Sequence, residues 1–158
     1  MPDAESFIAG YTPADRYRVA FASNGKVGPE LRDDNLAFRI EIAKSLVPLP
    51  DSANDDLIRD LYDAETLYSK ASFGVYHQFV ACLAQQLLER GGERNIAHYL
   101  ACVFRSQDAY FSSQCVKLTS RARDRAVAII DEQMKRTDDP RPPYYQTIRD
   151  NLARNQDT

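Results

Sequence analysis

From Pro50 to Pro140 the chain contains no proline, and its only glycines there are Gly74, Gly91 and Gly92. A proline inside a helix costs about 3 kcal/mol, so a stretch this long without one is free to be helical throughout. The apolar residues agree. Leu57, Leu61, Ala64, Tyr68, Ala71, Val75, Phe79 and Cys82 recur every three or four positions, beside a second row of Ile58, Tyr62, Tyr76, Val80, Leu83 and Leu87. Such spacing lays a broad apolar stripe along one side of a helix. Ser52 followed by Asp55 supplies a start signal like a capping box, and Gly91 with Gly92 supplies the stop. The pattern predicts one helical arm over about 52–90.

A second arm opens near Glu93 and keeps the helical period through Ile96, Leu100, Val103, Tyr110, Leu118, Val127, Ile130 and Met134. Unbroken over 93–137 it would measure roughly 67 Å at about 1.5 Å per residue. A domain of this size has a radius of gyration of about 15 Å, so the arm must break or protrude. Thr119 and Ser120, both able to cap a following helix, mark the expected break. Shorter helices are expected on either side. One opens at Thr12 and Pro13 and closes at Asn24 and Gly25; another is capped by Asp33 or Asp34 and ends at Pro48. A last one carries Tyr144, Tyr145, Ile148 and Leu152, after a proline-rich linker at 138–143. No strand pattern of useful length remains. The expected fold is all-α, one domain over 1–158, an irregular bundle around a long antiparallel hairpin of about 52–90 and 93–137.

Composition works mainly by exclusion. A hydrophobic share of 44% with 27% charged residues is globular and leaves no case for disorder. A formal charge of −3 argues against a general nucleic-acid binder. No apolar run approaches the roughly 20 residues of a membrane helix, and no secretory signal stands at the start, so no membrane partner and a cytoplasmic location are expected. Three cysteines, Cys82, Cys102 and Cys115, each among apolar neighbours, fit reduced thiols there. Phosphate-cradling glycine loops, His-Glu-x-x-His and Gly-x-Ser-x-Gly are all missing. With two histidines in the chain, bases for nucleophilic catalysis are few. No catalytic residue and no cofactor is assigned.

Some residues still stand out. Positions equidistant from the Gly91 and Gly92 turn share a height in an antiparallel hairpin. That sets His77 level with Asp108, near Tyr76 and Tyr110, as candidates for a polar ligand pocket in which Asp108 orients His77. The same residues serve equally well as a buried hydrogen-bond network. His98 and Cys102 lie four apart on one helix face, with Cys82 at the height of Cys102. These are donor types for zinc or copper, but two ligands at helical spacing arise often by chance, and no metal is assigned.

Charge is segregated as well. Residues 51–65 hold five Asp and one Glu against Arg59, whereas 117–136 are basic, with Arg121, Arg123 and Arg125 in alternation. Helix dipoles account for part of this, and patches that meet a partner or a second copy are the alternative. Alternate arginines fan around a helix, which disfavours nucleic acid as their target. The interaction candidates are Arg121, Arg125, Val127, Ile130 and Met134 on the second arm, and Tyr144 and Tyr145 beyond the linker. The function expected is a non-catalytic helical protein–protein interaction or regulatory module, self-associating through that arm. The alternatives are a bundle with an internal polar pocket for a small ligand or metal, an enzyme among them, and a nucleic-acid-associated helical protein.

Overall fold

Helix ends need partners for their free backbone groups, and in the computed structural model side chains and glycines supply them. The structure describes residues 3–46, 53–73, 78–136 and 142–154. Their helices are α1 (Ala4–Gly10), α2 (Leu36–Ser45), α3 (Asp55–Ala71), α4 (Gln78–Arg90), α5 (Glu93–Cys102), α6 (Gln107–Ser113), α7 (Ser120–Arg136) and α8 (Pro142–Arg154). Two 3₁₀ turns, Pro13–Arg18 and Gly28–Glu30, lie between α1 and α2. The described residues hold no strand beyond one isolated bridge, Ser23 to Asp33. The protein is an all-α bundle, and no described helix is long and apolar enough to cross a membrane.

The turn between α4 and α5 is built on Gly91 and Gly92, with φ of 66° and 84°. Arg125 of α7 reaches in and donates from Nη2 to the carbonyls of Glu89 and Leu88, covering the end of α4. A Cβ at Gly91 would lie 2.1 Å from Arg125 Nε. Gly91→Ala therefore carries a left-handed backbone penalty and displaces that cap, and is expected to destabilise by about 2–3 kcal/mol. A urea midpoint equal to that of the unchanged protein would contradict this.

Each expected long arm is subdivided. α3 closes at Ser72, whose N–H bonds the Tyr68 carbonyl, and Phe73 follows with φ of 56°, which a right-handed helix cannot continue. α4 then returns antiparallel to α3, so that Arg90 at its end donates to the Ala53 carbonyl (2.7 Å) and to Asp55 (2.9 Å) at the start of α3. Gly74 to His77 lie outside the described residues. The second arm breaks at Thr119 as expected, where Thr119 Oγ1 accepts from Ala122 N and Glu89 accepts from Thr119 N (2.6 Å). It breaks earlier as well, at 103–106, where Ser106 caps α6 by accepting from Ala109 N (3.0 Å).

Other ends shift by a residue or two. α3 is capped by Asn54, which accepts from Leu57 N at 2.8 Å, while Ser52 lies outside the described residues. α2 starts after Asn35, which gives no side-chain cap and donates instead to the Tyr17 and Ala20 carbonyls, while Asp33 accepts from Ala22 N, Asn35 N and Arg39. Thr12 and Asp15 form the capping box, but it opens a 3₁₀ turn and not a helix running to Asn24.

The core gathers Leu57, Ile58, Leu61 and Tyr62 of α3 with Leu87 and Leu88 of α4 and Ile96 and Tyr99 of α5. α7 lies across α4 and α5 and carries α8 on its other side. Ile148 and Leu152 bury the inner face of α8, and Arg149 holds Asp131 of α7 at 3.1 Å. At the other end, α1 packs on α2 through Phe7 edge-on to Phe38, with the Arg18 guanidinium over both rings.

Candidate functional site

The described acids of 55–65 are paired within the fold. Asp55 pairs with Arg90, Asp56 with Arg59 and Arg94, Asp60 with Arg16, Asp63 with Arg16 and Arg105, and Glu65 with Arg39. The Tyr11 hydroxyl also donates to Asp60 at 2.5 Å, and burial followed by that carboxylate pushes the phenol well above its ordinary range. Each described acid of 51–65 thus meets an arginine of its own fold, which leaves no free anionic patch there to meet a partner.

Asp55 shows what this does to stability. Burial alone would raise its carboxyl, but hydrogen bonds from Arg90 and Asn95 hold it below its ordinary 3.8. A carboxylate depressed in the folded state stabilises fully above that value and loses its contribution as pH falls through the lower folded one. Asp55→Asn is expected to flatten the acid limb of the stability–pH curve below about pH 4. Superimposable acid limbs would refute the assignment.

The surface opens on the opposite end of α3. At the corner between α5 and α6, the Phe104 ring stacks on Tyr110 (centroids 5.5 Å apart) and lies 5.1 Å from Tyr144 at the start of α8. Three adjoining hollows of about 320, 340 and 390 Å³ run past this stack. The first two share Lys70 and Arg105, and the last two share Phe104 and Tyr144, so together they form one groove. Its walls carry exposed aromatic rings: Phe73 is 74% exposed, Tyr144 57% and Phe104 37%. Lys70 is exposed and pairs with no carboxylate among the described residues. Arg105 is anchored through Nη1 to Asp63 Oδ1 (2.7 Å) and Thr66 Oγ1 (3.2 Å), and also lines the groove with its side chain 26% exposed.

Four residues singled out in the sequence meet at this groove. Asp108 lines its first section, Tyr110 its last, and Tyr144 and Tyr145 its middle. Asp108 accepts from Ser69 Oγ (3.4 Å) and sits in the first turn of α6, where an acid suits the helix dipole. His77 and Tyr76 lie outside the described residues, so the pairing expected of His77 does too. On α7, Ile130 is buried, and Val127 and Met134 are half-buried against the core. Arg125 caps α4, while Arg121 points to solvent.

A second polar cluster lies behind Arg105. His98 Nε2 donates to the Arg59 carbonyl (2.9 Å) and stands 3.7 Å from Cys102 Sγ, which is 3.9 Å from Asp63 Oδ1. His98 and Cys102 come together as their spacing requires, but Cys82 is exposed on α4 and takes no part. The return of α3 on α4 brings Asp63 to that place, since α5 packs on α3 as well as on α4. A reading that treats 52–90 as one straight arm cannot see this. Burial, outweighing the pull of Asp63, lowers the His98 ring below its ordinary range and leaves it neutral at pH 7. Burial likewise pushes the Cys102 thiol up to about 11.

No family model, curated protein or solved structure matches the chain. What fold and surface define is an all-α bundle with an open, cation-flanked aromatic groove at one corner.

Proposed function

We propose that the protein is a non-catalytic interaction module that receives a short acidic segment of a partner protein, one bearing aromatic or leucine side chains, in the groove along Phe104. The observation that carries this reading is the Phe104 stack itself. Three rings from two distant parts of the chain are held together at the surface and left partly open. A contiguous exposed apolar patch of this kind is the usual mark of a binding surface. Aromatic anchors supply most of the energy of such contacts, at low entropic cost because packing already fixes them. Lys70 and Arg105 on the rim select acidic over basic partners and speed encounter. Self-association through α7 has less support, because Ile130 is buried and Val127 and Met134 are partly covered by the core.

Fluorescence anisotropy with labelled peptides tests the reading. Peptides alternating Asp or Glu with Phe or Leu are expected to bind, and those with Lys in place of the acids are not. Lys70→Glu is expected to weaken binding about fivefold, in keeping with a rim charge worth about 1 kcal/mol. Equal affinity for the acidic and basic series, or no effect of Lys70→Glu, would overturn it.

A further inference from the structure

We infer that Asp63, His98 and Cys102 form a zinc site. None of the three lines the groove, and their ligand atoms stand at metal-ligand spacing. A tetrahedral zinc with Zn–S of about 2.3 Å and Zn–N or Zn–O of about 2.0–2.1 Å places its ligand atoms about 3.5 Å from one another. Cys102 Sγ lies 3.7 Å from His98 Nε2 and 3.9 Å from Asp63 Oδ1, and the three ligand atoms all fall within 4.8 Å of one another. His98 and Cys102 occupy one face of α5, and Asp63 projects from α3 beside them. Cys102 is buried at the back of the cluster, while His98 and Asp63 are half-buried and give it an opening. A thiolate, an imidazole and a carboxylate together suit zinc and not a hard, all-oxygen cation.

The existing bonds allow the change. The Arg59 carbonyl sits within α3, where its helical N–H partner remains when His98 Nε2 is withdrawn. His98 then carries its proton on Nδ1 and offers the Nε2 lone pair. Each Asp63 oxygen accepts one arginine bond, Oδ1 from Arg105 and Oδ2 from Arg16, and a carboxylate oxygen has a second lone pair to give. The metal takes the place of the Cys102 thiol proton. One Zn²⁺ enters and one proton leaves to solvent, while the imidazole changes tautomer and its ring turns so that Nε2 faces the metal instead of the Arg59 carbonyl. The bound arginines then act as outer partners that fix the carboxylate, as such neighbours commonly do around metal ligands. Three protein ligands leave the fourth position to water.

The test uses the full chain with Zn²⁺ and with Co²⁺ as a coloured probe. The expected result is one Zn²⁺ per chain, release of one proton per metal in weakly buffered solution, and a thiolate-to-cobalt charge-transfer band in the near ultraviolet. His98→Gln keeps an N–H for the Arg59 carbonyl and so keeps the fold, but is expected to lose at least tenfold in zinc affinity. Cys102→Ser is expected to lose the cobalt band, whereas the double change Cys82→Ser and Cys115→Ser keeps it. Absence of uptake by the unchanged protein would overturn the site. So would a band that survives Cys102→Ser, or zinc affinity that is the same in His98→Gln.

Discussion

Replacing Arg39 with methionine is expected to destabilise the fold by about 3–5 kcal/mol, the largest effect of any single polar change. Arg39 has no exposed surface, and its two carboxylate partners are almost as deeply placed. Nε donates to Glu65 at 2.8 Å and Nη2 to Asp33 at 2.5 Å, while Nη1 reaches the Ala20 carbonyl at 3.4 Å. One side chain on α2 therefore fastens α3 through Glu65, the segment leading into α2 through Asp33, and the loop between the 3₁₀ turns through Ala20. The pair is not valuable because ions attract, since taking these charges out of water offsets much of that gain. It is costly to break because methionine leaves two carboxylates buried without their cation. Arg39→Lys is expected to be intermediate, as an ammonium lacks the planar fork that reaches both acids. Urea unfolding measures both. A loss under about 1 kcal/mol for Arg39→Met would mean that water reaches the carboxylates and that the site is not dry.

Phe104→Ala should do the reverse: little to stability and much to binding. The ring is partly exposed, so its removal forfeits only part of the 3–5 kcal/mol typical of a buried phenylalanine. It is also the piece that joins Tyr110 to Tyr144, and without it the groove loses its central wall. A central aromatic anchor is worth about 2 kcal/mol or more, so affinity for acidic, apolar peptides should fall roughly 30-fold. Anisotropy titrations of the variant beside urea unfolding separate the two effects. Unchanged affinity in a folded variant would remove Phe104 from the interface.

The fold class was legible because proline exclusion and a three-to-four apolar repeat act through the backbone alone, over a long window. Gly91, Gly92 and Thr119 were legible for the same reason, as each carries its own conformational preference. The break after Ser72 was not. Phe73 adopts a left-handed φ without being a residue that favours it, and the apolar rows run on across it. The break at Ser106 was hidden in the same way, by Val103, Phe104 and Tyr110 keeping the period on both sides of the corner. Missing the return of α3 on α4 then misplaced the metal-type ligands, putting Cys82 where Asp63 stands.

The acidic run of α3 misled for another reason. Its partners Arg16, Arg39, Arg90 and Arg105 are scattered through the chain, and only packing brings them to it. The groove was half legible. Asp108 and Tyr110 stood out by their height opposite His77 in the expected hairpin, and Tyr144 and Tyr145 by their place after the proline-rich linker. That they share one surface depends on α8 docking by Ile148 and Leu152, which no local spacing encodes.

Chemical-shift mapping reports on the central claim most directly. With ¹⁵N-labelled protein and an acidic, phenylalanine-bearing peptide, shifts are expected to be confined to the end of α3 near Lys70, the corner at 103–111 and the first turns of α8. Shifts centred on α7, or none at any peptide concentration, would contradict it.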